Sequence, residues 1–97
     1  MSEQNLVFDV FTIFIGNIPY SFTDDELHAL AAHYGEIAVA TVVRDERNRS
    51  RGFGFIRFVE SSVAEAAILA LNGSELQGRL IRVGLTRSDS RYLSLVA

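Results

Sequence analysis

Three phenylalanines are the side chains best suited to recognition chemistry in this sequence. Phe14 lies in the run Thr-Ile-Phe-Ile-Gly, and Phe53 and Phe55 lie in the run Arg-Gly-Phe-Gly-Phe-Ile. A phenylalanine ring offers a flat π face on which another planar ring can stack, and an arginine guanidinium can neutralise phosphate. These residue types at this spacing indicate a surface for flat, anionic ligands.

Other chemically capable residues do not form a catalytic or metal-binding pattern. His28 and His33 are five residues apart, whereas a spacing of four brings two imidazoles together on a helix for a metal. Asp24, Asp25 and Glu26 fit the first turn of a helix, where negative charge is favourable. No nucleophile is paired with a base, and cysteine is absent. We therefore expect no enzyme, no metal and no cofactor.

Four strands are predicted from runs of β-branched and aromatic residues, over residues 12–16, 37–44, 52–59 and 80–85. Two helices separate them in the order β-α-β-β-α-β. This order predicts an α+β, ferredoxin-like fold, in which a four-stranded antiparallel sheet carries both helices on one face. The other face of the sheet is then open.

Each predicted helix has an apolar stripe and end signals. The first begins with a capping box from Thr23 to Glu26 and is expected to end at Gly35 in a left-handed conformation. The second is expected to be capped by Ser61 or Ser62 and closed by residues 72–73. The stripes consist of Leu27, Leu30, Ala31 and Tyr34 in the first helix, and of Ala64, Ala67, Ile68 and Leu71 in the second.

Strand alternation assigns the phenylalanines to the open face. Ile13 and Ile15 point to the core, so Phe14 points away from it. In the third strand Gly54, Ile56 and Phe58 point to the core, so the residues between them point outward: these are Phe53, Phe55 and Arg57. We therefore expect three exposed rings, and a cluster of exposed apolar side chains marks a binding site.

The runs around these rings resemble the motifs of the RNA-recognition motif (RRM) family. Residues 13–18 resemble its hexamer, and residues 51–58 match every defined position of its octamer with Ile in place of Val. The resemblance covers about residues 12–86 and implies binding of single-stranded RNA, in RNA processing or regulation. It predicts an N-terminal apolar extension over 1–11, an RRM domain over 12–86 and a C-terminal tail over 87–97.

The resemblance also implies a role for each matching residue. Phe14 and Phe55 would stack bases, Phe53 would pack against sugars, and Arg51 would contact phosphate. For Asn17, a polar contact and a purely structural turn are equally open. Further RNA contacts are expected on the open face and in the loop between the second and third strands, from Thr41, Arg57, Arg82, Arg44 and Arg49, with Arg47 in the same loop.

The overall charge is unusual for a nucleic-acid-binding domain. The formal net charge is −3, although phosphate binding is favoured by basic residues. Every basic residue is arginine, and four arginines fall within residues 44–51. We expect modest affinity that depends on the aromatic rings more than on salt. The sequence contains no apolar run of membrane-spanning length and no signal-peptide pattern, so we expect an intracellular protein. Between the nucleus and the cytoplasm, we expect the nucleus.

Two other functions remain open from the sequence. The fold could serve as a protein-protein interaction module, and stacking would serve single-stranded DNA equally well. A protein partner or a homodimer could use the apolar residues 6–11, Leu69 on the second helix, or the tail over 88–97, where Tyr92 could also stack a base. That tail could instead cover the open face.

Overall fold

The structure, a computed structural model, describes residues 10–86. Its helices are α1 (Asp24–Ala31), which continues into a 3-10 turn (Ala32–Tyr34), and α2 (Ser61–Leu71). Its strands are β1 (Thr12–Gly16), β2 (Ile37–Arg44), β3 (Ser50–Phe58), β4 (Glu75–Leu76), β5 (Arg79–Leu80) and β6 (Arg82–Leu85).

Four of the strands form one sheet in the order β2-β3-β1-β6, and all neighbours are antiparallel. Phe14 lies opposite Phe55 on β3 and opposite Gly84 on β6. The predicted fold class is therefore confirmed. The predicted strand over 80–85 is divided in two, because Leu80 pairs with Glu75 in a separate two-stranded ribbon and only β6 joins the sheet.

Both helices cover the same face of this sheet, where the main core lies. The two predicted apolar stripes are confirmed, because all of their residues are buried in this core or packed against it. Loop residues Ile18 and Phe22 complete it, with 0% and 6% of their surfaces exposed. Since the helices occupy one face only, side chains of the opposite face are left for other contacts.

The start of α1 is held by three side chains. Thr23 and Glu26 form the predicted capping box: the Glu26 N–H donates to Thr23 Oγ1 at 3.1 Å, and the Thr23 N–H donates to Glu26 Oε1 at 2.9 Å. Asp24 accepts a hydrogen bond from the N–H of Val42 at 2.7 Å. The carboxylate therefore satisfies a donor of β2, which is an edge strand of the sheet.

Two predicted helix ends differ from the structure. Gly35 has φ 161°, which is extended rather than left-handed. A Cβ at this position would lie 2.6 Å from a methyl group of Val63, so glycine is needed there for close packing against α2. The residue that precedes α2 as its N-cap is Glu60 rather than Ser61 or Ser62, and no side chain caps this end.

The chain ends carry predictions that lie largely outside the described residues. This applies to residues 6–9 of the apolar run and to the tail over 88–97, including Tyr92. Within the described range, the carbonyl of Phe11 accepts a hydrogen bond from the N–H of Phe58 at 2.9 Å, which continues the β1–β3 pairing by one residue. Neither helix of residues 10–86 is long and apolar enough to span a membrane.

Candidate nucleic-acid interface

Phe14, Phe53 and Phe55 form a second apolar cluster, which is separate from the main core. The ring centroid of Phe14 lies 5.7 Å from that of Phe53 and 6.2 Å from that of Phe55. The rings of Phe53 and Phe55 meet edge to face, with their centroids 6.1 Å apart. Val43 of β2 packs against them. The alternation argument is therefore confirmed: the three rings share the face that the helices do not cover.

The prediction that all three rings are exposed is wrong for two of them. Phe14 is 5% exposed and Phe53 is 4% exposed, whereas Phe55 is half-buried. Phe14 pairs with Phe55 across β1 and β3, and Phe53 lies two residues from Phe55 on β3, opposite Gly16, so the three rings are neighbours on one face. Strand alternation predicts which face a side chain takes, but it does not predict what fraction of that side chain is exposed.

The Phe14 ring extends along its own strand toward Gly16, two residues further on. A Cβ on Gly16 would come 2.9 Å from Cζ of Phe14, which is closer than real Cβ atoms approach. Gly16 itself pairs with Phe53 on one side and with Arg82 on the other. Because Gly16 has no side chain, the Phe14 ring can lie close to the sheet. The strands on either side of it, β3 and β6, both carry arginines.

A cleft of about 410 Å³ opens beside this cluster; we call it the sheet cleft. Phe14 and Phe53 form its apolar part, and Arg51 and Arg82 are two of its cations. The guanidinium carbon of Arg51 lies 5.6 Å from the Phe53 ring centroid, within cation–π range. The full lining is Phe14, Gly16, Asn17, Tyr20, Arg51, Gly52, Phe53, Arg79 and Arg82.

Tyr20 and Arg79 belong to this site, although the sequence did not identify them as site residues. Arg79 places its guanidinium carbon 5.6 Å from the centroid of the Tyr20 ring, which is 65% exposed. The two residues are distant in the chain and meet because the β4–β5 ribbon returns beside the loop after β1. Its strands have two residues each, so they leave almost no periodic signal in the sequence.

Asn17 has a structural role in this site. It adopts φ 62°, a left-handed conformation that asparagine tolerates. Its side chain donates to the carbonyl of Leu80 at 2.9 Å, and Oδ1 accepts from Arg79 at 2.7 Å. The Arg79 Nε also donates to the carbonyl of Asn17 at 3.2 Å. Of the two roles that the sequence left open, the described contacts fit the structural turn.

Replacing Asn17 by alanine is therefore expected to destabilise the fold by about 2 kcal/mol, because hydrogen bonds are lost and alanine is strained at positive φ. Urea unfolding measures this change. Asn17→Gly is the matched control, since glycine adopts the same φ but makes no side-chain bond, and its cost should be smaller. If Asn17→Ala were as stable as the wild type, this structural role of Asn17 would be contradicted.

The turn between β2 and β3 is organised by Asp45. Its Oδ1 accepts hydrogen bonds from the N–H groups of Arg47 and Arg49, both at 2.9 Å, and Oδ2 pairs with Arg49 Nε at 3.0 Å. These interactions, chiefly the bond from the Arg49 backbone, lower the pKa of the Asp45 carboxyl. The charge of Arg49, which is predicted to contact RNA, is thus partly neutralised by Asp45 within the turn.

Arg44 is likewise engaged by its own chain. Its guanidinium donates to the carbonyl of Asn48 at 3.3 Å and to that of Phe22 at 3.4 Å. Arg44 and Arg49 do not line the sheet cleft. They line a second space of about 550 Å³, which we call the turn cleft; its lining consists of Tyr20, Arg44, Asp45, Asn48, Arg49 and Ser50.

The remaining predicted residues lie on the same face as the rings. Thr41 is exposed and pairs with Phe55 across β2 and β3. Arg82 is exposed and lines the sheet cleft. Arg57 places its guanidinium carbon 5.3 Å from the Phe11 ring centroid. The structure therefore brings Phe14, Phe53, Asn17, Arg51 and Arg82 together, with Phe55, Thr41 and Arg57 on the adjoining surface.

Charge is separated across the described residues. The arginines lie on β2, β3 and the turn between them, and on β5 and β6. Most carboxylates lie instead on the helices and the segments next to them, at Asp24–Glu26, Glu36, Glu60 and Glu65. An acidic chain can thus present a basic rim around an aromatic face. Within residues 10–86, no group of acidic and histidine side chains could hold a metal ion.

Comparison with known proteins places these features in a family. Residues 13–82 match the family model described as RNA recognition motif. Glycine-rich RNA-binding protein 1 of Mycosarcoma maydis is 44% identical over 77 residues, which cover 78% of this chain and 44% of that protein. Glycine-rich RNA-binding protein 3, mitochondrial, of Arabidopsis thaliana is 44% identical over 72 residues, which cover 73% of this chain and 23% of that protein.

A solved structure gives the same result for the fold. The structure described as the Rna15 RRM with bound RNA (GU) has a TM-score of 0.72 and 29% identity, and the match covers 88% of this chain and 93% of that one. The chain spans less than half the length of the two curated relatives. One of these relatives is mitochondrial, so the comparison does not support the predicted nuclear location. The match over residues 13–82 shows that this chain belongs to the RNA recognition motif family.

Proposed function

We propose that this chain binds single-stranded RNA through base stacking on the cluster of Phe14, Phe53 and Phe55. The observation that carries the proposal is the position of these rings: they lie on the sheet face opposite the core, beside a cleft that contains Arg51 and Arg82. Aromatic faces next to cations bind single strands because every base has a π face and every nucleotide has a phosphate. Both curated relatives are named as RNA-binding proteins, which agrees with this chemistry.

The three rings differ in the fraction of their surface that is exposed before RNA binds. Phe55 is half-buried, so a larger fraction of its surface is exposed than of the other two rings. Phe14 and Phe53 are 5% and 4% exposed, and both line the sheet cleft, so only a small part of each is available to a base. We therefore expect Phe55 to contribute more to stacking than either of the other two rings.

The expected affinity is modest. Each base stacked on an aromatic side chain contributes about 1–3 kcal/mol. Two or three such contacts with a few charge contacts, less the cost of ordering the strand, correspond to a dissociation constant near the micromolar range, or about 8 kcal/mol. The net charge of −3 makes long-range attraction weak, so affinity should fall less steeply with salt than for a basic domain. A role in RNA processing or regulation is part of the proposal.

An NMR titration of the chain with a mixed-sequence RNA pool tests the proposal. We expect shifts at the ring and backbone resonances of Phe14, Phe53 and Phe55, and at Arg51. A parallel titration with DNA of the same sequences separates RNA from DNA binding, because only RNA offers the 2′-hydroxyl. An absence of shifts at the rings would contradict the proposal.

A protein-binding function is the second candidate, and Leu69 is the observation that favours it. This leucine on α2 is 86% exposed, on the side of the helix away from the core. Scattered exposed leucines are ordinary, so one residue does not define an interface. Two results together would favour this function over RNA binding. They are NMR shifts confined to α2 when a cell extract is added, and no shifts of the three phenylalanine rings in the RNA titration.

A further inference from the structure

Ser50 lies in an arginine-rich stretch of a chain whose net charge is −3. It begins β3, and arginines lie on both sides of it, at Arg44, Arg47, Arg49 and Arg51. Two acidic residues lie in the same stretch, which therefore stays net positive. Protein kinases select their substrates by the charges that flank the hydroxyl, and flanking arginines suit a kinase whose substrate groove is acidic. The sequence around Ser50 has this charge pattern.

The Ser50 side chain lines the turn cleft, a space of about 550 Å³. Ser50 itself is half-buried, and the four residues before it, 46–49, are exposed. Among the described residues, Ser50 Oγ accepts one hydrogen bond, from the N–H of Gly52 at 3.0 Å. Because a hydroxyl oxygen has two lone pairs, one remains with which Ser50 can attack a phosphorus atom.

The turn before Ser50 is closed by local hydrogen bonds. The Asp45 N–H donates to the Arg49 carbonyl and the Asn48 N–H donates to the Asp45 carbonyl, both at 2.9 Å. The hydrogen bonds to the Asp45 carboxylate also stay within the turn. Ser50 pairs with Arg44 at the end of the β2–β3 ladder, beyond an irregularity in the pairing. A segment with local bonds at the end of a ladder opens at lower cost than the core, so a kinase can reach this serine.

A phosphate on Ser50 would be a better acceptor for two arginines of the turn cleft than their present partners. Arg44 donates to two neutral carbonyls, at 3.3 Å and 3.4 Å, and Arg49 shares the Asp45 carboxylate with two backbone N–H groups. A phosphoserine carries about 1.5–2 negative charges near pH 7 and three acceptor oxygens, and its bonds to guanidinium are charge-assisted. Both arginines would therefore turn to the phosphate and become less available to RNA.

The charge on Ser50 would also act on the sheet cleft. The next residue, Arg51, lines that cleft beside Phe14 and Phe53. Consecutive Cα atoms lie about 3.8 Å apart, and the screening length is about 10 Å at 0.1 M salt. A phosphate on Ser50 therefore repels RNA phosphates at the cleft without touching the phenylalanine rings.

We propose that Ser50 is a phosphorylation site and that its phosphate weakens RNA binding. The inference rests on the proposed RNA-binding function and adds the regulation of that same site. Ser50 Oγ forms a bond to the γ-phosphorus of a nucleoside triphosphate held by the kinase, and the bond from this phosphorus to the β,γ-bridging oxygen breaks. The nucleoside diphosphate leaves, and the hydroxyl proton passes to a base of the kinase.

Treatment of the chain with magnesium ATP and an arginine-directed serine kinase tests the site itself. Mass spectrometry of proteolytic peptides locates the phosphate. We expect phosphate on Ser50 in the wild type and none on the corresponding peptide of Ser50→Ala. An unmodified Ser50 in the folded chain would overturn the proposal, whether or not a synthetic peptide of residues 44–51 accepts phosphate.

Affinity for a labelled mixed-sequence RNA octanucleotide, measured before and after kinase treatment, tests the effect of the phosphate. At about 0.05 M salt, the phosphorylated wild type should bind about tenfold more weakly than the unmodified chain, and at about 0.5 M salt the difference should shrink because the charge is screened. Kinase-treated Ser50→Ala is the matched control and should stay within about twofold of the unmodified wild type. It accounts for phosphate on any other serine.

The possible results separate the regulation from the function that it acts on. If the phosphorylated chain binds RNA as tightly as the unmodified chain at low salt, the regulation is wrong although RNA binding stands. An equal loss at both salt concentrations would show a distorted fold rather than charge repulsion and would also overturn the proposal. No binding by the unmodified chain would contradict the proposed RNA-binding function itself.

Discussion

Phe55→Ala is expected to lower RNA affinity by about tenfold to a hundredfold, because removing one stacking ring costs about 1–3 kcal/mol. Of the three clustered rings, Phe55 has the largest exposed fraction. It pairs with Phe14 on β1 and with Thr41 on β2, so it stands in the middle of the sheet. A base stacked there reaches the strands on both sides. Fluorescence anisotropy with a labelled mixed-sequence RNA measures the change.

Two further variants separate the ring's π face from its bulk. Phe55→Tyr keeps an aromatic ring and should bind RNA within a few-fold of the wild type. Phe55→Leu keeps apolar volume without a π face, so it should bind nearly as weakly as Phe55→Ala. All three should stay folded, because Phe55 lies outside the main core. Unchanged affinity in Phe55→Ala would show that bases do not stack on this face.

The sequence predicted the architecture well because its signals are local. Alternation along β1 and β3 assigns each side chain to a face without knowledge of the strand partners, and Thr23 with Glu26 marks a helix start within four residues. Exposure is not a local property. Phe14 and Phe53 are almost fully buried on the sheet face that the helices leave uncovered, where they pack with each other and with Phe55.

Contacts between distant parts of the chain account for the other differences. Arg79 reaches Tyr20 and Asn17 only through the short β4–β5 ribbon, which has no periodic pattern. Arg44 turns to the carbonyls of Asn48 and Phe22 rather than outward, because its position at the end of β2 brings them near. Residue type shows that a guanidinium is available, and tertiary structure determines which acceptor it takes.

Gly54→Ala is expected to destabilise the fold by about 3 kcal/mol through overpacking. A Cβ at this position would overlap the backbone carbonyl oxygen of Thr41 and lie 3.0 Å from Leu27 Cδ2 and 3.2 Å from Val42 Cα. The carbonyl belongs to the neighbouring strand and cannot rotate away, so β2 must shift from β3. Urea or thermal unfolding measures the loss.

Gly84→Ala is the matched control, because Gly84 also lies in the sheet and no described atom lies within 4 Å of its Cβ position. In unstrained backbone, an alanine in place of glycine stabilises by about 0.4–1 kcal/mol by restricting the unfolded chain, so the two variants should change stability in opposite directions. Gly54 thus has a role different from that of its neighbours in residues 51–58: Phe53 and Phe55 lie on the sheet face opposite the core, whereas Gly54 lets α1 and β2 pack against the other side of the same strand. RNA affinity per folded molecule should therefore survive in Gly54→Ala, and a loss of affinity at full stability would show that the glycine serves the binding face instead.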